Sequence, residues 1–249
     1  MNRLVFSNHP YDPCSGGVKV LQYLQALIHA TGVPVAGTNP CFFNPSIPVV
    51  TRCGTQDIAV YPDVCAGNPL GAERIVRYLL YFPRLPNYRI VKSDCVILYM
   101  NAFRRECEAC YDGRIWPESV VEVPNIEASD WCFPEEKTVE NALYTGKQNC
   151  KDKPAIEHQM MPDLTNPDRW ALRYSSLAML RKASNFYTMD HHTVMDREAA
   201  LCGCTVFHVH GRKDFRQVYP NTEDRIMRPQ KDMVLAVKFV SIIQEFFNL

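Results

Sequence analysis

Three observations predict an α/β protein built from two doubly wound lobes facing a crevice. Short apolar strands alternate with amphipathic helices from Leu4 onward. A polar, Pro-bounded stretch at residues 120–134 interrupts this pattern, which restarts at Asn141. Residues 186–207, FYTMDHHTVMDREAALCGCTVF, then read as strand, loop, helix and strand in succession. Lobes of this kind gather ligands at the carboxyl ends of their strands, so the crevice between them is the expected active site.

The first lobe is expected over residues 1–135. It opens with the strand LVF and a turn-rich SNHPYDPCSGG, followed by a helix carrying Val18, Leu21, Leu24, Leu27 and Ile28 on one face and ending at Gly32. VPVAGT is a second strand and residues 57–64 a third. Residues 72–82 (AERIVRYLLYF) read as a helix stopped by Pro83, and RIVKSDCVILYM as one or two further strands. Residues 120–134 form the expected linker. In the second lobe, residues 136–249, NALYTGK starts with a strand and turn, and residues 167–183 read as a long helix. Residues 232–248 form an amphipathic terminal helix with Met233, Val237, Val240, Ile243 and Phe247 as its apolar stripe. That helix either crosses back to the first lobe and couples the two or completes the core of the second.

Composition narrows the function classes. The 249 residues are 47% hydrophobic and 22% charged, which describes a globular chain, and 27 Lys plus Arg balance 27 Asp plus Glu. No global field draws such a chain to nucleic acid or to an acidic membrane. The cluster Arg212, Lys213, Arg216, Arg225 and Arg228 keeps a nucleic-acid acceptor open without favouring it. No run approaches the roughly 20 apolar residues of a membrane span, so no integral membrane contact is expected. The start MNRLVFSNHPYDP lacks the regions of a signal peptide, and 11 cysteines is an odd number, so reduced thiols in a cytoplasmic protein are expected. Cys107-x2-Cys110 and Cys202-x-Cys204 lack the second pair or His that a structural zinc site needs, so no metal site is expected.

The segment 186–207 concentrates the chemistry. Asp190 ends its strand; Thr193 is placed to cap the next helix by accepting from the Asp196 amide, leaving other amides free for an anion. Glu198 lies about one turn into the helix. It either complements the helix dipole or reaches hydroxyls attached to a diphosphate held at the helix start. An acid, seven residues, and Glu-Ala before a Gly-X-hydrophobic strand resembles the nucleotide-sugar site of GT-B glycosyltransferases, whose fold is two Rossmann-like lobes facing a cleft. The resemblance implies that Glu198 contacts the donor ribose and that His191, His192 and Thr193 meet the diphosphate and sugar. Asp190 stands where this family usually has Glu, one methylene longer.

Three more segments carry the same resemblance. Ser15-Gly16-Gly17 lies in the first strand-to-helix turn, where the family often has a Gly-rich loop whose backbone approaches a phosphate or sugar closely. Tyr61-Pro62-Asp63, then Gly67-Asn68-Pro69-Leu70 and Arg77, is similar to a YPE…GNPL…R pattern of some bacterial and viral glycosyltransferases, which places Asp63, Asn68 and Arg77 at the acceptor cleft. Tyr144-Thr145-Gly146-Lys147, with Lys151 and Lys153 behind, occupies the family's diphosphate-binding position. Gly146 and Lys147 are its expected donor contacts.

The implied reaction moves a sugar from a UDP- or GDP-linked donor to a hydroxyl acceptor: a glycan, a lipid-linked sugar, a protein or a modified nucleic acid. Lys147 and the amides at Thr193 and Val194 would stabilise the leaving diphosphate without a metal or other cofactor. The acid-x7-acid type implies retention of configuration. His9 and Asp12, after the first strand, are the candidate base for an inverting variant and join Asp190 as candidate catalytic groups. Two rivals remain: a nucleotide-sugar epimerase on the same fold, and a non-catalytic nucleotide-binding or interaction protein.

Overall fold

The computed structural model describes residues 2–81, 90–109, 111, 115–126, 132–145, 159–160, 168–190, 195–211, 213–220 and 226–249. The chain is α/β and divides into two units, Met1–Val123 with Arg228–Leu249, and Pro124–Met227.

Unit 1 contains β1 (Leu4–Phe6), α1 (Gly16–Ala30), β2 (Val35–Gly37), β3 (Ile58–Pro62), β4 (Arg74–Leu79), β5 (Cys95–Leu98), a short α2 (Arg104–Glu108) and α5 (Pro229–Phe247). Its five strands are all parallel, in the order β2-β1-β3-β4-β5. Strand order reverses at β1, so the loops after β1 and β3 diverge there at the carboxyl edge. β1, β2, β3 and β5 are buried along their whole length, which is why they read as unbroken apolar runs without alternation. α1 starts at Ser15, whose hydroxyl accepts from the Val18 amide at 3.4 Å.

Residues 72–82, expected as a helix, instead form β4 between β3 and β5. Val76, Arg77, Tyr78 and Leu79 are all buried, so this strand too lacks the period-2 signature, and its RYLLY run imitates a helical stripe. Ile75, Val76 and Tyr78 are good strand formers. The expected linker, read as descending through a strand, begins in the interior: Val121 and Val123 are wholly buried, and Val121 donates to the Leu98 carbonyl at 2.9 Å.

α5 lies in unit 1. Asp232 accepts from the Tyr23 hydroxyl at 2.8 Å and from the Arg228 amide at 2.6 Å. Phe239 stacks near Phe6 and sets its face against the Tyr78 edge, with ring centroids 6.3 and 5.3 Å apart. The buried face is Asp232, Ala236, Phe239, Val240, Ile242 and Ile243, whereas Val237, expected inside, is 54% exposed. A hydropathy stripe omits an aspartate. Here hydrogen bonds make Asp232 an interior residue and rotate the helix accordingly.

Unit 2 contains β6 (Val139–Tyr144), β7 (Gln159–Met160), α3 (Arg169–Lys182), β8 (Ala183–Thr188), α4 (Met195–Leu201), β9 (Thr205–Gly211) and β10 (Asp214–Val218). The sheet order is β10-β9-β8-β6-β7, parallel except for the β9–β10 hairpin. Asp168 caps α3 by accepting from Ala171 N at 2.9 Å. Leu172, Leu177 and Leu180 of α3 are buried, and the last two join Phe186, Ala199 and Val206 in the core.

The face assignment of α5 is testable. Phe239→Ala should destabilise the protein by about 3–5 kcal/mol in denaturant unfolding, the cost of a large core truncation. Val237→Ser should change stability by under about 0.5 kcal/mol. Equal effects of the two would reverse the assignment.

Candidate functional site

The two sheets have separate carboxyl edges, and the residues expected to act fall on both. In unit 1 the loop after β1 is organised by its own side chains. Asp12 accepts from the Cys14 amide at 2.8 Å, and its carbonyl accepts from Ser15 N at 3.0 Å, shaping the turn that feeds the α1 cap. His9 is exposed, and its carbonyl accepts from the buried Gln22 amide at 2.8 Å. Gly16 and Gly17 are the first two residues of α1 rather than part of an open loop. A Cβ on Gly17 would lie 3.3 Å from the Leu80 side chain, so the glycine lets the helix start run close to the end of β4.

The Tyr-Pro-Asp, Gly-Asn-Pro-Leu and Arg77 segments meet in one assembly. Asn68 Oδ1 accepts from the Tyr61 hydroxyl at 2.8 Å and from Ala72 N at 3.0 Å, and its Nδ2 donates to the Ala72 carbonyl at 2.8 Å. Asp63 accepts from Leu80 N at 3.1 Å, joining the ends of β3 and β4. Arg77 is on β4, not on a helix, and is 3% exposed. It donates to Asp94 at 3.0 Å and to the carbonyls of Cys65 and Gly67 at 3.1 and 2.7 Å, with its guanidinium 5.0 Å from the Tyr61 ring centre. This motif holds the 65–72 loop in place, and Arg77 is directed into that loop.

In unit 2, Asp190 follows β8, and Thr188 fixes its backbone by donating to the Asp190 carbonyl and accepting from its amide, both at 3.1 Å. Glu198 is fully buried and bound through both oxygens by Arg173 of α3, at 2.6 and 2.5 Å. The carboxylate expected to reach a ribose is therefore occupied in this conformation, and a hydroxyl contacts it only if Arg173 yields. Gly146, Lys147, Lys151, Lys153, His191, His192, Thr193, Arg212 and Arg225 lie outside the described residues.

Three groups went unnoticed in the sequence: Arg173, Asp196 and His208. Asp196 is 7% exposed, and burial pushes its carboxyl from 3.8 up to about 6 despite the neighbouring Arg197. His208 of β9, in register with Thr188, brings Nε2 to 3.7 Å from Asp196. An arginine beside Leu172 on a stripe otherwise leading inward was the available signal for Arg173. Nothing in the sequence links Asp196 to His208, twelve residues away across a turn. Among the described thiols, burial pushes Cys53 and Cys204 up to about 11 and Cys95 to about 12, while hydrogen bonding to Cys202, with burial, raises Cys132.

Arg173→Met, which leaves Glu198 buried and unpaired, should cost about 3–5 kcal/mol in denaturant unfolding, and adding Glu198→Leu should recover most of it. A second outcome concerns pH. The folded state holds the Asp196 proton more tightly than the unfolded state, so this contribution is fully present below the ordinary carboxyl value of 3.8 and is lost as pH rises through about 6. Asp196→Asn should therefore be more stable than the parent by up to about 3 kcal/mol near neutrality, with the gap closing on acidification. A pH-independent gap would remove the assignment. The sequence matches no protein-family model and no curated protein.

Proposed function

We propose that this chain is a glycosyltransferase that moves a sugar from a UDP- or GDP-linked donor to a hydroxyl acceptor, its two units forming the acceptor and donor sides of a GT-B cleft. The observation that carries the reading is the pair Asp190 and Glu198, which bracket the connection from β8 to α4 at the acid-x7-acid spacing. Glu198 is fully buried in the grip of Arg173, so on this reading Arg173 yields when the donor ribose reaches the carboxylate. Asp190, half-buried with its backbone fixed by Thr188, is the nearer group for the donor sugar.

On this reading Lys147 supplies positive charge to the leaving diphosphate, His191 and His192 hydrogen-bond its oxygens, and transfer retains configuration. On the same reading no metal ion is required, because the charge developing on the diphosphate is met by these groups. Addition of EDTA should leave the rate unchanged.

A thermal-shift series with UDP, GDP, ADP and the corresponding nucleotide sugars tests the reading. One diphosphate family at about 100 times its dissociation constant should add about 2.7 kcal/mol of stability. Asp190→Asn should weaken nucleotide-sugar binding by about 1–3 kcal/mol while leaving the unliganded protein's stability nearly unchanged. Absence of any nucleotide shift overturns the proposal. Conversion of the donor without acceptor assigns the chain instead to an epimerase.

A further inference from the structure

The loops after β1 and β2 leave the carboxyl edge of unit 1 side by side, and a set of buried amides joins them. Asn8, 3% exposed, accepts through Oδ1 from Asn39 N at 2.9 Å, and its carbonyl accepts from Thr38 Oγ1 at 2.8 Å and Asn39 Nδ2 at 2.6 Å. Asn8 Nδ2 in turn donates to Gln25 Oε1 at 3.1 Å. Gln22, wholly buried, donates to the His9 carbonyl and accepts from Phe42 N, both at 2.8 Å. Burying three side-chain amides beneath two surface loops is costly unless every loop position they fix matters.

What these amides hold is an aromatic platform. Tyr11, from the first loop, stacks on Phe42, from the second, with centroids 3.9 Å apart and planes within 13°. Phe43 sets its edge against both rings at 5.7 and 5.4 Å and also meets Tyr23 of α1 at 5.4 Å. Phe42 nevertheless remains 49% exposed. A large aromatic ring fixed this firmly and half exposed is suited to recognition, because little freedom remains to be lost on binding. The flanking polar residues His9, Asn44 and Ser46 are hydrogen-bonding groups rather than the arginines and lysines that a phosphate chain requires.

We propose that Tyr11, Phe42 and Phe43 form a carbohydrate-binding platform, on which the C–H face of a pyranose ring stacks while the exposed His9 meets its hydroxyls. The inference deepens the glycosyltransferase reading, on which it rests for its biological role, by assigning the acceptor as a glycan and placing its binding on the edge formed by β1 and β2. A flat ligand with one apolar face and a rim of neutral hydroxyls matches an exposed aromatic face bordered by neutral polar groups.

Saturation-transfer NMR on the full chain with methyl gluco-, galacto- and mannopyranosides tests it. At least one pyranoside should receive saturation, strongest at the ring protons of one face, and its affinity should fall about fivefold to tenfold in Phe42→Ala. Phe42→Tyr should retain binding, and an unchanged unfolding midpoint for Phe42→Ala establishes that the loss is local. The platform is overturned if no pyranoside binds the parent protein, or if Phe42→Ala and Tyr11→Ala bind as the parent does. The nucleotide shift is a separate readout. Nucleotide binding without pyranoside binding refutes the platform alone, whereas pyranoside binding without any nucleotide shift refutes the transferase reading and leaves the platform standing.

Discussion

A parallel strand buried on both faces cannot turn a charged side chain inward without a partner, and this constraint organises unit 1 around Arg77. With Asp94 at 3.0 Å and two loop carbonyls as acceptors, the guanidinium is satisfied although its strand is buried. The same bonds pin the loop that follows β3, and Asn68 and the Tyr61 hydroxyl complete its closure. The carboxyl edge of unit 1 thus has a rigid loop after β3, and the Asn8 and Gln22 amides brace the loops after β1 and β2. Polar groups that would be liabilities in an apolar interior become the fasteners of this carboxyl edge.

Unit 2 uses buried charge differently. Glu198 and Arg173 neutralise each other, but Asp196 is desolvated beside an arginine and a histidine and gives up much of its acidity. A carboxyl raised to about 6 in the buried first turn of a helix is an unfavourable structural element and a useful proton-handling one. Three acids, Asp190, Asp196 and Glu198, are thereby placed in three distinct states within nine residues: half-buried, buried and partly neutral, and buried and paired. Adjacent carboxylates differentiated by environment can take separate roles at one site.

The elements legible in the sequence are those whose signals are local. α1 announces itself by apolar residues at helical spacing, α3 is recovered within the helix expected at residues 167–183, and the strand–loop–helix–strand order of residues 186–207 is recovered in β8, α4 and β9. β4 failed because a strand buried on both sides and a short buried helix share the same apolar run. The α5 stripe is right at Val240 and Ile243 but misplaces Val237, because the partner that makes Asp232 an interior residue is Tyr23, 209 positions away. Of the candidate site, the spacing of Asp190 and Glu198 was visible, but Arg173, 25 residues before its partner, was not. Long-range charge pairing leaves no periodic trace in the chain.

That pairing also depends on how α3 and α4 are held at their far ends. Lys137, just ahead of β6, donates to the carbonyls of Arg181 and Cys202 at 3.0 and 2.7 Å, meeting terminal acceptors of both helices with one cation. A positive charge there complements both dipoles at once. Gly203, with φ of 78°, turns the chain away immediately after α4, and a Cβ at that position would come within 3.3 Å of Pro134. With the carboxyl ends of α3 and α4 tied to the same lysine, the spacing between the helices is set, and Arg173 and Glu198 lie opposite each other along them. The bidentate contact is thus a consequence of helix termination as much as of the two residues that make it.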